Sequence, residues 1–156
     1  MMRFRDIAVA ALTTAAVALG GAGAHAQGSK PQTPTTLDGG KVVSAAEAKA
    51  LLDGRKAQFF DTRSPMNYGK GHVPGAKALP YGEKSEFTEK FDPSRDRFDL
   101  AQLPGDKSTA LVFYSDGPTG WKSYKAAVQA IRAGYTSVHY LRGGWAEWEA
   151  KKLPAN

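Results

Sequence analysis

The sequence contains no cysteine, and this absence excludes several kinds of chemistry. None of its 156 residues can form a disulfide, hold an iron–sulfur cluster or ligate a metal through a thiolate. The chain also has no thiol nucleophile. The histidines, at positions 25, 72 and 139, lie far apart in the sequence and do not have metal-ligand spacing. We therefore expect no metal and no cofactor.

Long hydrophobic runs and dense basic tracts are missing as well. The one extended apolar stretch, residues 7–20, is shorter than the roughly 20 residues that span a bilayer. The net charge is +6, but Lys and Arg alternate with Asp and Glu, and aromatic residues are not interleaved with basic ones. This pattern gives no support to a nucleic-acid partner.

The N-terminal residues have the pattern of an export signal. Arg3 and Arg5 precede the apolar stretch, and Ala24-His25-Ala26 has the small residues of a cleavage site. We predict a signal peptide at residues 1–26, a periplasmic or secreted protein, and no membrane association after cleavage. Residues 27–40, rich in Pro, Thr and Gly, are predicted to be a disordered leader to a domain at 41–154.

Within that domain, strand-like and helix-like segments alternate. The apolar segments predict strands near 41–43, 57–61, 76–79, 111–114 and 137–141. Ser44 and Glu47 form a capping box that predicts a helix ending at Gly54. The alternation indicates an α/β fold, a central parallel sheet with helices on both faces.

Two further segments have less regular patterns. Residues 83–100 are charged with aromatic anchors, and we predict a partly helical surface excursion in which Phe87 and Phe91 share a face. A helix after residue 120 should bury one face, and Lys122 and Lys125 are expected to be solvated. The residues predicted on its buried face are Tyr124, Ala127, Val128 and Ile131.

Ser115 stands where a buried strand enters a Gly/Pro loop that leads into that helix. Backbone N–H groups of such a loop converge on a small cavity that suits an anion or a sulfur nucleophile. Asp61 ends the earlier apolar strand 57–61. Because ligands of parallel sheets bind beyond the carboxyl ends of the strands, Ser115 and Asp61 mark the predicted site.

Two motifs resemble the signatures of the rhodanese superfamily. Phe60-Asp61-Thr62-Arg63, followed by Tyr68 and Gly71-His72-Val73-Pro74-Gly75-Ala76, resembles the first. Leu141-Arg142-Gly143-Gly144-Trp145, with Trp148, resembles the second. The resemblance covers about residues 41–153 and implies a single-domain, rhodanese-like fold with its active-site loop at Ser115.

In that family the loop carries a cysteine at the position of Ser115. The resemblance implies that this cysteine accepts a sulfane sulfur from a donor such as thiosulfate and passes it to a thiol or cyanide. Some exported members have a second loop cysteine, at the position of Gly120. Both positions lack cysteine here.

The resemblance also assigns expected roles to other residues. Asp116, Gly117, Pro118, Thr119, Gly120 and Trp121 would form the binding loop, with core packing as the alternative for Trp121. Asp61, Arg63, His72 and Arg142 would be structural motif residues, with Asp61 and Arg63 as an ion pair or as substrate contacts, and Arg142 as a turn residue or an anion-steering residue.

Three functions stay open at this point. A serine hydroxyl is not ionised without an adjacent base, and an O–S linkage does not store sulfane sulfur, which favours a catalytically silent domain. Such a domain would bind a small anion or a sulfur-carrying partner. The alternatives are an active sulfurtransferase whose cysteine was lost by substitution, and a serine hydrolase using Ser115, His72 and Asp61.

Overall fold

A computed structural model describes residues 28–156; the predicted signal peptide, residues 1–26, lies outside this range. Five parallel strands form one sheet in the order β1-β5-β4-β2-β3. The strands are β1 Lys41–Val43, β2 Gln58–Asp61, β3 Lys77–Ala78, β4 Leu111–Tyr114 and β5 Val138–Leu141. The helices are α1 Ala45–Asp53, α2 Pro65–Lys70, α3 Trp121–Arg132 and α4 Gly144–Ala150.

Alternation along the central strand β4 builds the two layers of the core. Leu111 and Phe113 pack in one cluster together with residues of α3. Val112 and Tyr114 pack in the other, together with residues of α1 and α4. All four side chains are fully buried, as expected for a parallel strand covered on both faces. The prediction of an α/β fold with helices on both sides of a parallel sheet is confirmed.

The predicted capping box of α1 is present. The Ser44 side chain accepts from the Glu47 backbone N–H, and the Glu47 carboxylate accepts from the Ser44 N–H. These backbone and side-chain hydrogen bonds with Ser44 lower the pKa of Glu47. The helix ends at its C-cap, Gly54. Local sequence therefore sets both ends of this helix.

The described part of the expected disordered leader differs from that expectation. Residues 28–40 contain no helix or strand, yet Thr33 and Leu37 are buried. Leu37 packs in the same cluster as α3. Composition alone does not reveal these contacts, because they join the leader to residues that are distant in the sequence.

The segment 83–100 also differs from the prediction of a partly helical excursion. It contains a 3₁₀ turn at Pro93–Arg95 and the start of a second, Leu100–Gln102, and no α-helix. Phe87 and Phe91 therefore do not share a helical face. Their rings instead lie 5.2 and 5.4 Å from the Lys125 Nζ atom.

Lys125 corrects a second prediction, because it is fully buried rather than solvated. Its Nζ atom lies 3.1 Å from Glu83 Oε2 and donates to the Ser85 carbonyl at 3.2 Å. The excursion therefore folds over α3 and supplies the partners that a buried ammonium group needs. Val128 and Ile131 are half-buried at the edge of the core, while Tyr124 and Ala127 are buried as predicted.

Within residues 28–156, no helix is long and apolar enough to cross a membrane. Over the same range, no group of three or more His, Asp or Glu side chains is arranged to hold a metal ion.

Candidate functional site

Three strands bring the predicted site residues to one edge of the sheet. Asp61, Tyr114 and Leu141 are direct neighbours in the register of β2, β4 and β5. The residues that follow them, Thr62, Ser115 and Arg142, leave the sheet at the same level. This is the carboxyl edge at which parallel α/β sheets bind ligands.

Ser115 lies at the bottom of a tight loop and is only 1% exposed. Its Oγ atom has no hydrogen-bond partner within residues 28–156. The loop closes over it because position 120 is glycine: a Cβ there would lie 2.9 Å from the Ser115 Cβ and 3.0 Å from its Oγ. A buried hydroxyl without a hydrogen-bond partner is unfavourable. The Ser115 hydroxyl is therefore available to form a hydrogen bond with a ligand.

The loop backbone surrounds this hydroxyl. The Gly120 N–H donates to the Gly117 carbonyl at 2.8 Å, which fixes the turn. The N–H groups of Asp116, Gly117 and Thr119 donate to no other group within the described residues. Gly120 is also the N-cap of α3, and no side chain caps that end. Backbone donors and a helix N-terminus are thus placed around Ser115.

The start of α4 clamps the same loop. The N–H groups of Trp145 and Ala146 donate to the carbonyls of Ser115 and Asp116 at 2.8 and 2.9 Å. Gly144 has a φ of +58°, and a Cβ at this position would lie 2.5 Å from the Ser115 carbonyl oxygen. The Gly-Gly pair of the second motif therefore permits a close approach of two backbones.

Arg63 and Asp61 form a buried ion pair. Arg63 Nη2 lies 2.6 Å from Asp61 Oδ2, and both side chains are almost fully buried. Burial alone would lower the pKa of Arg63, but the hydrogen-bonded Asp61 raises it above its ordinary value. The guanidinium also donates to the Gly71 carbonyl at 2.7 Å and lies 4.9 Å from the Trp145 ring. The pair thus ties the first motif to the second.

His72 is engaged away from Ser115. Its ring stacks on Tyr68 with centroids 3.8 Å apart, and its Nδ1 lies 3.0 Å from the Tyr68 carbonyl. Its backbone exchanges two hydrogen bonds with Asn156. Because Ser115 Oγ has no partner within the described residues, the hypothetical Ser115, His72 and Asp61 triad is not assembled.

Arg142 contacts the leader. Its Nε and Nη2 atoms donate to the Thr33 carbonyl at 3.2 and 3.0 Å, and Nη2 donates to Gln32 Oε1 at 3.0 Å. The guanidinium is therefore neither freely solvated nor directed at an anion in this conformation. Asp116 is the exposed charge of the loop. Its carboxylate contributes to the raised pKa of Arg63, which shows that its field reaches the motif residues.

Trp121 is buried in the core and also lines a surface groove. Its ring is buried and packs edge-on against Tyr124, with centroids 5.5 Å apart. It also lines a groove of about 430 Å³ between the leader and residues 87–90. Phe87, 38% exposed, lines the same groove, with its ring centroid 6.4 Å from that of Trp121. Core packing of Trp121 is thus present, and its role in binding stays a prediction.

Sequence reasoning missed the leader residues and Tyr140. Thr33 Oγ1 donates to the Pro118 carbonyl at 2.9 Å and accepts from Tyr140 Oη at 2.7 Å. Burial raises the pKa of Tyr140 to about 12, so its phenol remains a donor at neutral pH. The one sequence signal for Tyr140 is its position directly before Leu141, the last residue of β5, which places it near this edge.

A parallel sheet with a tight loop between its central strand and a helix, clamped by a second motif, defines a class of small α/β domains. A model of the rhodanese-like domain family matches residues 44–151. The chain belongs to the rhodanese-like domain family.

Individual relatives agree with this assignment. The chain is 28% identical over 110 residues to the thiosulfate sulfurtransferase GlpE of Pseudoalteromonas translucida. The alignment covers 70% of this chain and 90% of that protein. It is 32% identical over 113 residues to the tRNA uridine(34) hydroxylase of Erwinia tasmaniensis. That alignment covers 71% of this chain and 29% of the hydroxylase.

Among solved structures, the human single-domain sulfurtransferase TSTD1 is similar. Its sequence identity is 25%, its TM-score is 0.52, and the match covers 70% of this chain and 96% of that one. The likeness to GlpE and to TSTD1 extends over most of the length of each protein. The chain is therefore related to the rhodanese-like sulfurtransferases.

Proposed function

We propose that this chain is an exported rhodanese-like domain that binds through the Ser115 loop without transferring sulfur. Its ligand is a small anion or the sulfur-carrying group of a partner protein. The observation that carries the proposal is the Ser115 hydroxyl, which is 1% exposed and has no partner within residues 28–156. A loop that has backbone N–H donors around a serine hydroxyl, in place of a cysteine thiol, is suited to binding a ligand.

The chemistry of the hydroxyl supports catalytic silence. A sulfurtransferase nucleophile must be an anion that forms and then releases an S–S bond, and a serine needs a neighbouring base even to ionise. No histidine, carboxylate or amine is within hydrogen-bond distance of Ser115 Oγ in the described part of the chain.

Anion binding is supported by the free donors of the loop. The N–H groups of Asp116, Gly117 and Thr119 are without protein acceptors in residues 28–156, and the N-terminus of α3 lies beside them. An anion seated there would receive several backbone hydrogen bonds.

The test is a titration of the ¹⁵N-labelled domain with inorganic thiosulfate, followed through the amides of Gly117, Thr119 and Gly120. We expect saturable shifts at these amides, and smaller ones elsewhere. The control is the same titration with sodium chloride at matched ionic strength. Shifts that are absent, or equal in both titrations, would contradict an anion site.

Export is tested by the mass of the protein recovered from the periplasm or medium. We expect a chain that begins near Gln27. An exported chain that retains residues 7–20 would contradict the proposed cleavage.

A further inference from the structure

The leader is held at two separate points. Thr33 is 3% exposed and Leu37 is 6% exposed. Between them, Thr35 and Thr36 are exposed, and residues 34–36 form no hydrogen bond to any other described residue. The leader segment before Leu37 can therefore move without disturbing the core contact of Leu37.

The partners of residues 31–33 surround the Ser115 loop. The Thr33 N–H and hydroxyl both donate to the Pro118 carbonyl, at 2.8 and 2.9 Å. The Trp121 indole N–H donates to the Pro31 carbonyl at 2.8 Å. Together with the bonds from Tyr140 and Arg142, the segment is linked to the loop, to the start of α3 and to the end of β5.

We propose that residues 31–33 are a latch that holds the Ser115 loop closed, and that their release opens the site. This inference rests on the proposed binding function of that site. Trp121, Tyr140 and Arg142 form the receptor for the latch.

The closed loop needs such a contact for a physical reason. It buries the Ser115 hydroxyl without a partner, which is unfavourable. The latch compensates through hydrogen bonds, and Thr33 is the only buried side chain among residues 28–36. A segment held by a few hydrogen bonds, with one buried side chain and without strand pairing, opens more readily than the sheet.

The receptor also explains how a ligand would compete with the latch. Trp121 and Arg142 bind oxygen acceptors of the leader, the carbonyls of residues 31 and 33. A ligand that presents oxygen acceptors beside the loop satisfies the same donors. Binding of such a ligand and release of the latch are therefore coupled, each favouring the other.

The first experiment measures access to position 115. In a Ser115→Cys background, we compare Thr33→Val, which removes both hydrogen bonds of the hydroxyl, with Thr35→Val, an exposed threonine two residues along. The rate of iodoacetamide alkylation is measured as a function of pH. The midpoint of this curve gives the pKa of the thiol, and its high-pH plateau gives the reaction rate of the thiolate, which reports how accessible position 115 is. We expect Thr33→Val to raise this plateau rate at least about fivefold, and Thr35→Val to leave it unchanged.

A second variant approaches the same contact from the receptor. Arg142→Gln removes the guanidinium that binds the Thr33 carbonyl, and we expect faster alkylation here too. In the natural Ser115 chain, hydrogen exchange at Gly120, whose N–H donates to the Gly117 carbonyl, should accelerate in Thr33→Val and not in Thr35→Val. Equal rates for the two threonine variants in both measurements would overturn the latch.

Failure of the latch and failure of the binding function give different results. If thiosulfate shifts the loop amides equally in the natural chain and in Thr33→Val, the site binds and the latch is wrong. If alkylation and exchange respond to Thr33→Val while thiosulfate binds neither form, the latch is right and the anion function is wrong.

Discussion

Ser115 has an oxygen where the family resemblance implies the sulfur of a cysteine, and the groups around it determine what this side chain can do. The side chain lies beside the uncapped N-terminus of α3, with Gly120 packed against it. Replacing oxygen by sulfur changes little volume. A thiol at this position would experience the helix dipole, which favours its anion by roughly 0.3–1 kcal/mol.

We therefore predict that Ser115→Cys is tolerated and that its thiol has a pKa below the reference value of about 8.5. Ser115→Cys with Asp116→Asn should have a lower pKa still, because a neighbouring negative charge is removed. The measurement is the rate of iodoacetamide reaction against pH. An unshifted pKa in both variants would mean that the loop no longer favours an anion.

Asp96 offers a second test at the scale of single residues. It accepts hydrogen bonds from Tyr81 Oη at 2.7 Å, from Ser85 Oγ at 2.6 Å and from the N–H groups of Lys84 and Ser85. Partial burial would raise the pKa of Asp96, but these bonds outweigh it and lower the pKa. The folded state therefore prefers the ionised form.

The sign of the pH dependence follows from that direction. The stabilisation is complete above the unfolded-state pKa of about 4 and is lost as pH falls through the lower folded-state value. We predict that Asp96→Asn lowers stability at pH 7 and flattens its decline below about pH 5, measured by urea unfolding. Asp53→Asn, an exposed control, should retain the natural decline. An equally steep decline in Asp96→Asn would contradict this role.

At the scale of elements, the junction between the Ser115 loop and α4 depends on a glycine. Gly144 has positive φ, and a Cβ there would also lie 2.8 Å from the Gly117 nitrogen. Both neighbouring atoms belong to backbone and cannot rotate away. The clamp that shapes the loop is therefore incompatible with any side chain at this position.

We predict that Gly144→Ala destabilises the domain by about 1–3 kcal/mol, from backbone strain and displacement of the loop. Gly105→Ala is the matched control, since a Cβ there meets nothing within 4 Å. Thermal and urea unfolding of both variants give the comparison. If Gly144→Ala is as stable as Gly105→Ala, the loop and α4 do not approach each other as described.

The elements that the sequence predicts correctly are those specified locally. Two examples are the capping box at Ser44 and Glu47 and the apolar run 111–114. Each depends only on residues that are close to one another in the sequence. The excursion 83–100 and the leader depend on distant contacts instead. Lys125 illustrates the difference: its helical position suggests exposure, and only the folding of Glu83 and Phe91 over α3 makes it buried.

That contact gives a further prediction. The Lys125 and Glu83 side chains are 0% and 6% exposed. Removing one partner of a buried pair leaves a charge uncompensated, so Glu83→Gln should cost about 3–5 kcal/mol of stability. Lys125→Met with Glu83→Gln should be more stable than Glu83→Gln alone. A double variant that loses as much as the two single variants together would contradict direct coupling.

At the scale of the whole molecule, the chain has the rhodanese-like domain, and its proposed difference from the family lies at Ser115, where the motif resemblance implies a cysteine. The buried Arg63–Asp61 pair, the Gly144 clamp and the two core layers are all present. The family motifs predicted this frame. They could not predict the leader contacts, because those depend on Thr33 meeting Tyr140 across the folded domain.

The central claim is that the frame persists while sulfur chemistry at position 115 is absent. Its most direct test is the intact mass of the natural chain and of Ser115→Cys after incubation with thiosulfate, with thiocyanate formation from cyanide measured in parallel. We predict no added sulfur and background turnover for the natural chain, and one added sulfur atom with weak turnover for Ser115→Cys. Thiocyanate production by the natural chain that scales with its concentration would contradict the account.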